Sequence, residues 1–188
     1  MLWIYMGLLG FAIGLLVALV ATPRVVEYVE SETIEAPVAS VYDAIRYQFS
    51  LMQWSAWPST TGSACKVERN DGEVGAQTVF FDKKGQRFGY QEITQLDPMR
   101  LVAFKLESKG PPHVPTLAFH LVPIDDCRTQ VILDFSNDIS PPFHVLLRLF
   151  GVVKWTREMH VKDLDGLKRF CEPPHRTYTG EPAQQYAA

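Results

Sequence analysis

At 188 residues, with 47% hydrophobic and 21% charged side chains, the chain has room for one ordinary domain and a short addition, and no second core is needed. A net charge of -3, with no run of Lys or Arg interleaved with aromatics, argues against a nucleic-acid surface. Cys65, Cys127 and Cys171 lie far apart with no CxxC, which excludes a disulfide framework in favour of small hydrophobic side chains.

Leu2 to Ala21 carries no charge. At about 1.5 Å per residue it spans roughly 30 Å, one bilayer hydrocarbon core. No basic residue precedes the apolar run, and Leu19 stands where a cleavage site wants a small residue. Residues 1–23 are therefore read as an uncleaved single-pass anchor rather than a signal peptide. Trp3 and Tyr5 suit one interface and Arg24 the other, but Glu27, Glu30, Glu32 and Glu35 follow, so the basic residues do not tell on which side the rest lies. Gly10 and Gly14 form a GxxxG, a weak signal for a homodimer.

Residues 24–172 form the predicted domain. Val25 to Ala36 alternates with period two and reads as a strand. Pro37 opens a short helix through Val38, Val41, Tyr42, Ile45 and Phe49. A second short segment carries Met52, Trp54 and Trp57 and is predicted to stop at Pro58. Six strands follow at 65–69, 75–82, 87–96, 101–108, 116–123 and 128–137, punctuated by turns such as Asn70-Asp71-Gly72-Glu73. Val102, Phe104 and Leu106, then Leu117, Phe119 and Leu121, then Val131, Leu133 and Phe135 fall on inward faces. The strand at 87–96 is ambiguous. Either Phe88, Tyr90, Glu92 and Thr94 point inward, or Ile93 does with Gln91 and Gln95, and a bulge would switch one into the other.

Ser140 to Glu172 reads as one long helix, capped by Ser140 with Pro141 in its first turn. Leu146, Leu149, Phe150, Val153, His160, Leu164, Leu167 and Cys171 share its inner face; Arg148, Trp155, Glu158, Lys162 and Arg169 lie opposite. Arg157 projects near the apolar side, beside His160. Residues 173–188 show no period and are expected to be disordered. The order predicts an α+β fold: a curved seven-stranded antiparallel sheet around the C-terminal helix, two short helices after the first strand, and the N-terminal transmembrane helix. Such a sheet has more inner face than one helix fills, so a cavity between them is expected.

Ile34-x-Ala36-Pro37, Gln53-Trp54-Ser55-x-Trp57, Glu73-Val74-Gly75, the strand Gln91 to Asp97 ending in Pro98-x-Arg100-Leu101-Val102, and the last helix with Leu164 and Leu167-Lys168 together resemble the START/SRPBCC helix-grip superfamily, over roughly residues 26–172. That superfamily includes polyketide cyclase/dehydrase-like and lipid-transfer proteins, and the resemblance implies a hydrophobic ligand held between sheet and helix. Fold analogy does not choose between binder and enzyme.

No GxSxG, HExxH, Walker or GxGxxG run carries a catalytic signature, and no two of the five histidines stand at metal-ligand spacing. Neither metal nor cofactor is expected. The candidate ligand-binding residues are Arg157, His160, Tyr90, Glu92, Trp54, Phe104, Phe119 and Leu133. In one reading Arg157 holds a carboxylate or phosphate head group and His160 moves a proton. In the other, Arg157 keeps its head in water and His160 bonds a nearby carbonyl. An inward Glu92 would pair with Arg157. Three functions fit: a membrane-anchored binder of a lipid or polyketide-like compound without covalent chemistry, a cyclase- or dehydratase-like enzyme using His160 or Glu92, or a protein-recruiting membrane module in which Trp155 touches a partner.

Overall fold

The computed structural model describes residues 2–109 and 113–172. The tail expected to be disordered and part of the loop at 110–113 lie outside the described residues. Helix α1 (Leu2–Ala21) is followed by strand β1 (Val25–Ile34), three short helices, α2 (Val38–Arg46), α3 (Gln48–Trp54) and α4 (Ala56–Thr61), and strands β2 (Ala64–Glu68), β3 (Gln77–Phe81), β4 (Arg87–Asp97), β5 (Leu101–Ser108), β6 (Thr116–Asp125) and β7 (Arg128–Asp138). Helices α5 (Phe143–Leu149) and α6 (Val152–Cys171) close the domain.

The strands form the expected seven-stranded sheet, in the order β1-β7-β6-β5-β4-β3-β2. Every neighbouring pair is antiparallel. Consecutive strands from β2 to β7 pair by hairpins, and β1 closes the far edge against β7. One sheet face packs on α6 and α2. Ile34, Ile45, Ile93, Val102, Phe104, Phe119, Leu133 and Leu167 are buried there, each worth about 1.5–3 kcal/mol relative to exposure.

The alternation that remained open in β4 resolves through a bulge. Gly89, Gln91 and Ile93 point into the domain. Ile93 pairs with Phe104 and Gln95 with Ala103, so Thr94 is the extra residue. Beyond it the inward position moves to Leu96, which packs against the core. One inserted residue changes the parity of the strand.

The short-helix region holds one more helix than expected. Pro58 does not end the second segment; it sits inside α4. The third position of a helix has no intrahelical use for its N–H, so proline costs little there. Ser55 caps α4, its hydroxyl accepting from the Trp57 N–H at 3.3 Å. Helix α3 has no capping side chain of its own. Asp71, in the turn between β2 and β3, supplies one, accepting from the Gln48 N–H at 2.6 Å and the Phe49 N–H at 3.3 Å.

The single C-terminal helix predicted from Ser140 is two helices. Pro141 precedes another proline and is thereby kept out of the helical region, so the N-cap is Pro142 and not Ser140. Gly151 then adopts a left-handed φ of 71°. Its N–H closes back on the Arg148 carbonyl at 3.0 Å. This conformation ends α5 and redirects the chain into α6. The apolar stripe is cut accordingly. Val153, Leu164, Leu167 and Cys171 join the core, whereas Leu146, Leu149 and Phe150 are 39%, 74% and 75% exposed.

Candidate functional site

Between the inner face of the sheet and helices α3, α4 and α6 lies a cavity of about 340 Å³. Its walls are largely apolar: Leu51 and Trp54 from α3, Trp57 from α4, Phe80 from β3, Leu106 from β5, Leu117 and Phe119 from β6, and Trp155 from α6. Thr78 on β3 presents only a small side chain to this space, and Gly89 on β4 lets β5 approach closely, a Cβ there standing 2.5 Å from the Glu107 carbonyl oxygen. A second chamber of about 220 Å³ lies toward β1 and β7, walled by Tyr28, Phe135, Ile139, Leu147, Val152 and Val153. Trp57, Leu106, Pro115 and His160 line both chambers and form the partition between them.

Polar groups are few and specifically held. His160 is buried, and its Nδ1 lies 2.8 Å from the Tyr28 hydroxyl. Burial depresses its pKa to about 4, so the imidazole is neutral at ordinary pH. The same burial raises the Tyr28 phenol well above its usual range. One turn on, Asp163 also faces the cavity. Its Oδ1 accepts from the Ala56 N–H at 2.7 Å and the Ser55 hydroxyl at 3.0 Å. Desolvation outweighs these donors and pushes its pKa up to about 7. At the sheet end, the Thr78 hydroxyl donates to the Gln48 side-chain oxygen at 2.5 Å. Gln91, 6% exposed, lines the cavity, and its amide nitrogen has no hydrogen-bond partner.

The residues singled out by sequence separate into three groups. Trp54, Phe119 and His160 line the cavity. Trp54 stands edge-on to Phe119, and its indole N–H donates to the Ala44 carbonyl at 2.9 Å. Phe104 and Leu133 are fully buried core residues that line neither chamber. Tyr90, Glu92 and Arg157 turn elsewhere. Tyr90 borders the cavity along β4, but its hydroxyl donates to Glu107 across the opposite face of the sheet. Glu92 shares that face, paired with Lys105 at 2.9 Å and bonded to Gln77.

Arg157 does turn toward the sheet, as its helical position predicts, but what it meets is the edge strand. Glu30 and Glu32 stand opposite Leu133 and Val131 in the register and so share the inner face. Arg157 pairs with Glu30 and lies over the Tyr28 ring at 5.7 Å, and Lys168 pairs with Glu32. The expected couple between Arg157 and Glu92 does not form. With 57% of its side chain exposed, Arg157→Met is expected to cost under about 1 kcal/mol and to leave cavity binding unchanged. A severalfold loss of probe binding in that variant, measured by equilibrium dialysis, would contradict this placement.

Trp155, expected on the outer face, is 41% exposed there, and its covered edge also borders the cavity, edge-on to Trp57 at 5.2 Å. Asp163 and the Thr78–Gln48 pair had not been singled out. Asp163 lies on the stripe 160, 163, 164, 167, at spacings of three and four, where an acidic side chain signals a buried carboxylate. Nothing in the order of residues points to Gln48. Among the described residues, no group of His, Cys, Asp and Glu is arranged to hold a metal ion.

A curved antiparallel sheet gripping a C-terminal helix around an apolar cavity defines an SRPBCC helix-grip protein. Residues 35–141, more than half of the sequence, match the family model described as Activator of Hsp90 ATPase homolog 1-like protein, and the chain belongs to that family. No curated protein matches it. Among solved structures it is similar to a protein from Nitrosospira multiformis, with 19% identity over 78% of this chain and 97% of that one and a TM-score of 0.57. It is also similar to norcoclaurine synthase from Thalictrum flavum, with 12% identity over 81% and 89% and a TM-score of 0.58. CalU16 from Micromonospora echinospora gives 19% identity over 78% and 76% and a TM-score of 0.51. At these identities the likeness concerns the fold.

Proposed function

We propose that the chain is a membrane-anchored binder of an amphipathic small molecule, with an apolar body in the cavity and an oxygen acceptor at the Gln91 end. The observation that carries this reading is the unpartnered amide of Gln91 in a largely apolar chamber whose other buried polar groups, His160, Asp163 and Thr78, are hydrogen-bonded. A buried donor left unpaired costs about 1–3 kcal/mol, and a ligand carbonyl or ester oxygen would remove that cost. Helix α1 supports the anchor: residues Trp3–Ala21 are long and apolar enough to cross a membrane and none of that stretch is buried in the domain.

Two variants of the full chain in lipid nanodiscs test the reading, with empty nanodiscs as the partition control. Leu106→Trp places an indole in the partition and is expected to abolish binding of 2-acetylnaphthalene measured by equilibrium dialysis; unchanged binding would refute the cavity as the site. Gln91→Leu is expected to weaken that ketone roughly fivefold, the worth of one hydrogen bond, while leaving the isosteric 2-isopropenylnaphthalene unaffected. Equal losses for both probes would remove the acceptor from the proposal.

A second reading, a cyclase-like enzyme, draws support from one feature. Asp163 faces the cavity with a pKa near 7, so it can give or take a proton at neutral pH. Native mass spectrometry of the purified chain separates the two. A single retained compound favours a binder, and a mixture of two compounds differing by one water favours a dehydrating enzyme.

A further inference from the structure

Helix α5 exposes its apolar C-terminal end while its other side is tied to the end of α1. His144 is fully buried, and its Nε2 lies 3.2 Å from the Leu19 carbonyl oxygen. The Arg148 guanidinium donates to the carbonyls of Pro23 and Val25, each at 3.1 Å. Carbonyls in the last turn of a helix have no partner within it, and α5 supplies partners just where the apolar helix ends. Next to this junction Leu149 and Phe150 are three-quarters exposed, with Leu146 beside them. Arg148 and Lys154 flank Leu149 and Phe150 in sequence, and Arg24 follows α1 directly, next to the Val25 carbonyl that Arg148 holds; cations take such places where helices leave the hydrocarbon for the head groups.

We infer that α5 is a membrane-docking surface: Leu146, Leu149 and Phe150 insert into the bilayer beside the point where α1 leaves it. This rests on the reading of α1 as an anchor, and the occupant follows from continuity with that anchor, since the patch begins where the apolar helix stops. A position follows for the cavity as well. Leu147, Val152 and Val153, from α5 and the start of α6, wall the second chamber. The chamber therefore lies directly behind the docked surface, between it and the cavity that ends at Gln91, from which Trp57, Leu106, Pro115 and His160 divide it.

Photolabelling of the unmodified full chain tests this without any substitution. Vesicles of phosphatidylcholine are doped with a phosphatidylcholine bearing a diazirine near the carbonyl end of one acyl chain, irradiated, and digested with trypsin. Cleavage after Arg148 and Lys154 isolates residues 149–154, and cleavage after Arg69 and Lys83 isolates residues 70–83, which carry the exposed Val74 near the opposite edge of the sheet. Lipid adducts are expected on residues 1–24 and, severalfold above residues 70–83, on residues 149–154. Adducts on residues 1–24 alone would overturn the docking surface and leave the anchor standing, the patch then belonging to a protein partner or a second copy. Adducts on neither would overturn both. Replacing Leu149 and Phe150 by Ser is expected to reduce labelling across residues 143–148 while the chain stays in the vesicle fraction; unchanged labelling there also counts against the inference.

Discussion

Gly166→Ala is expected to destabilise the domain by about 3 kcal/mol, the reverse of the usual effect of the same change in an exposed helix, which gains about 1 kcal/mol. The reason is the approach of two elements. A Cβ built on Gly166 would stand 2.1 Å from the Trp54 carbonyl oxygen and 3.2 Å from its carbon. Both are backbone atoms at the end of α3, so no side-chain rotation relieves the contact. The residues that follow are those held by Asp163, through the Ser55 hydroxyl and the Ala56 N–H. Displacing α3 from α6 therefore disturbs the cap of α4 and the cavity wall carried by Trp54 and Trp57. Thermal unfolding followed by near-ultraviolet circular dichroism should show a midpoint lowered by roughly 10 °C, with weaker probe binding at temperatures where the variant is still folded. An unchanged or raised midpoint would mean that the helices separate without cost and that the close approach is not structural.

The strands were legible because period-two alternation survives in β5, β6 and β7, where Phe104, Phe119 and Leu133 all fall inward as read. In β4 two alternations compete, and only the pairing with β5 shows that Thr94 is the inserted residue. The break at Gly151 was hidden for a different reason. Leu146, Leu149, Phe150 and Val153 keep helical spacing across it, so periodicity runs through a residue whose left-handed backbone redirects the chain. For the site, helical projection puts Arg157 at the edge of the apolar stripe but does not tell that its half-exposed head meets Glu30 on the strand beside it. That depends on β1 joining the far edge beside β7, a long-range pairing no local pattern encodes. The orphan amide of Gln91 is likewise a product of packing: the residue was one of two alternatives for β4, and Thr78, opposite it on β3, gives its hydroxyl to Gln48 instead.

Two buried groups one turn apart on α6 should give the domain opposing pH dependences. His160 has a folded pKa of about 4 against an ordinary 6.5, through desolvation. Below 6.5 the unfolded chain binds a proton that the folded one refuses, so this group's contribution to stability is present above that pH and is lost toward 4. Asp163 has a folded pKa of about 7 against an ordinary 3.8, again through desolvation. Its contribution is fully present below 3.8 and is lost as pH rises through 7. Each shift corresponds to a few kcal/mol, and between about pH 4 and 6.5 the two slopes oppose one another. Asp163→Asn keeps a side-chain oxygen for Ser55 and Ala56 but removes the titration. Relative to the parent chain its midpoint should rise from about pH 5 to about pH 8, where the parent buries a carboxylate. His160→Asn keeps an acceptor toward Tyr28, and its midpoint relative to the parent should rise in the other direction, from about pH 7 down to about pH 5. Parallel rather than opposite trends in the two variants would show that these groups do not titrate as their burial requires. Because Asp163 exchanges its proton near pH 7, a ligand that prefers the protonated acid should bind more tightly below that pH, and that preference should vanish in Asp163→Asn.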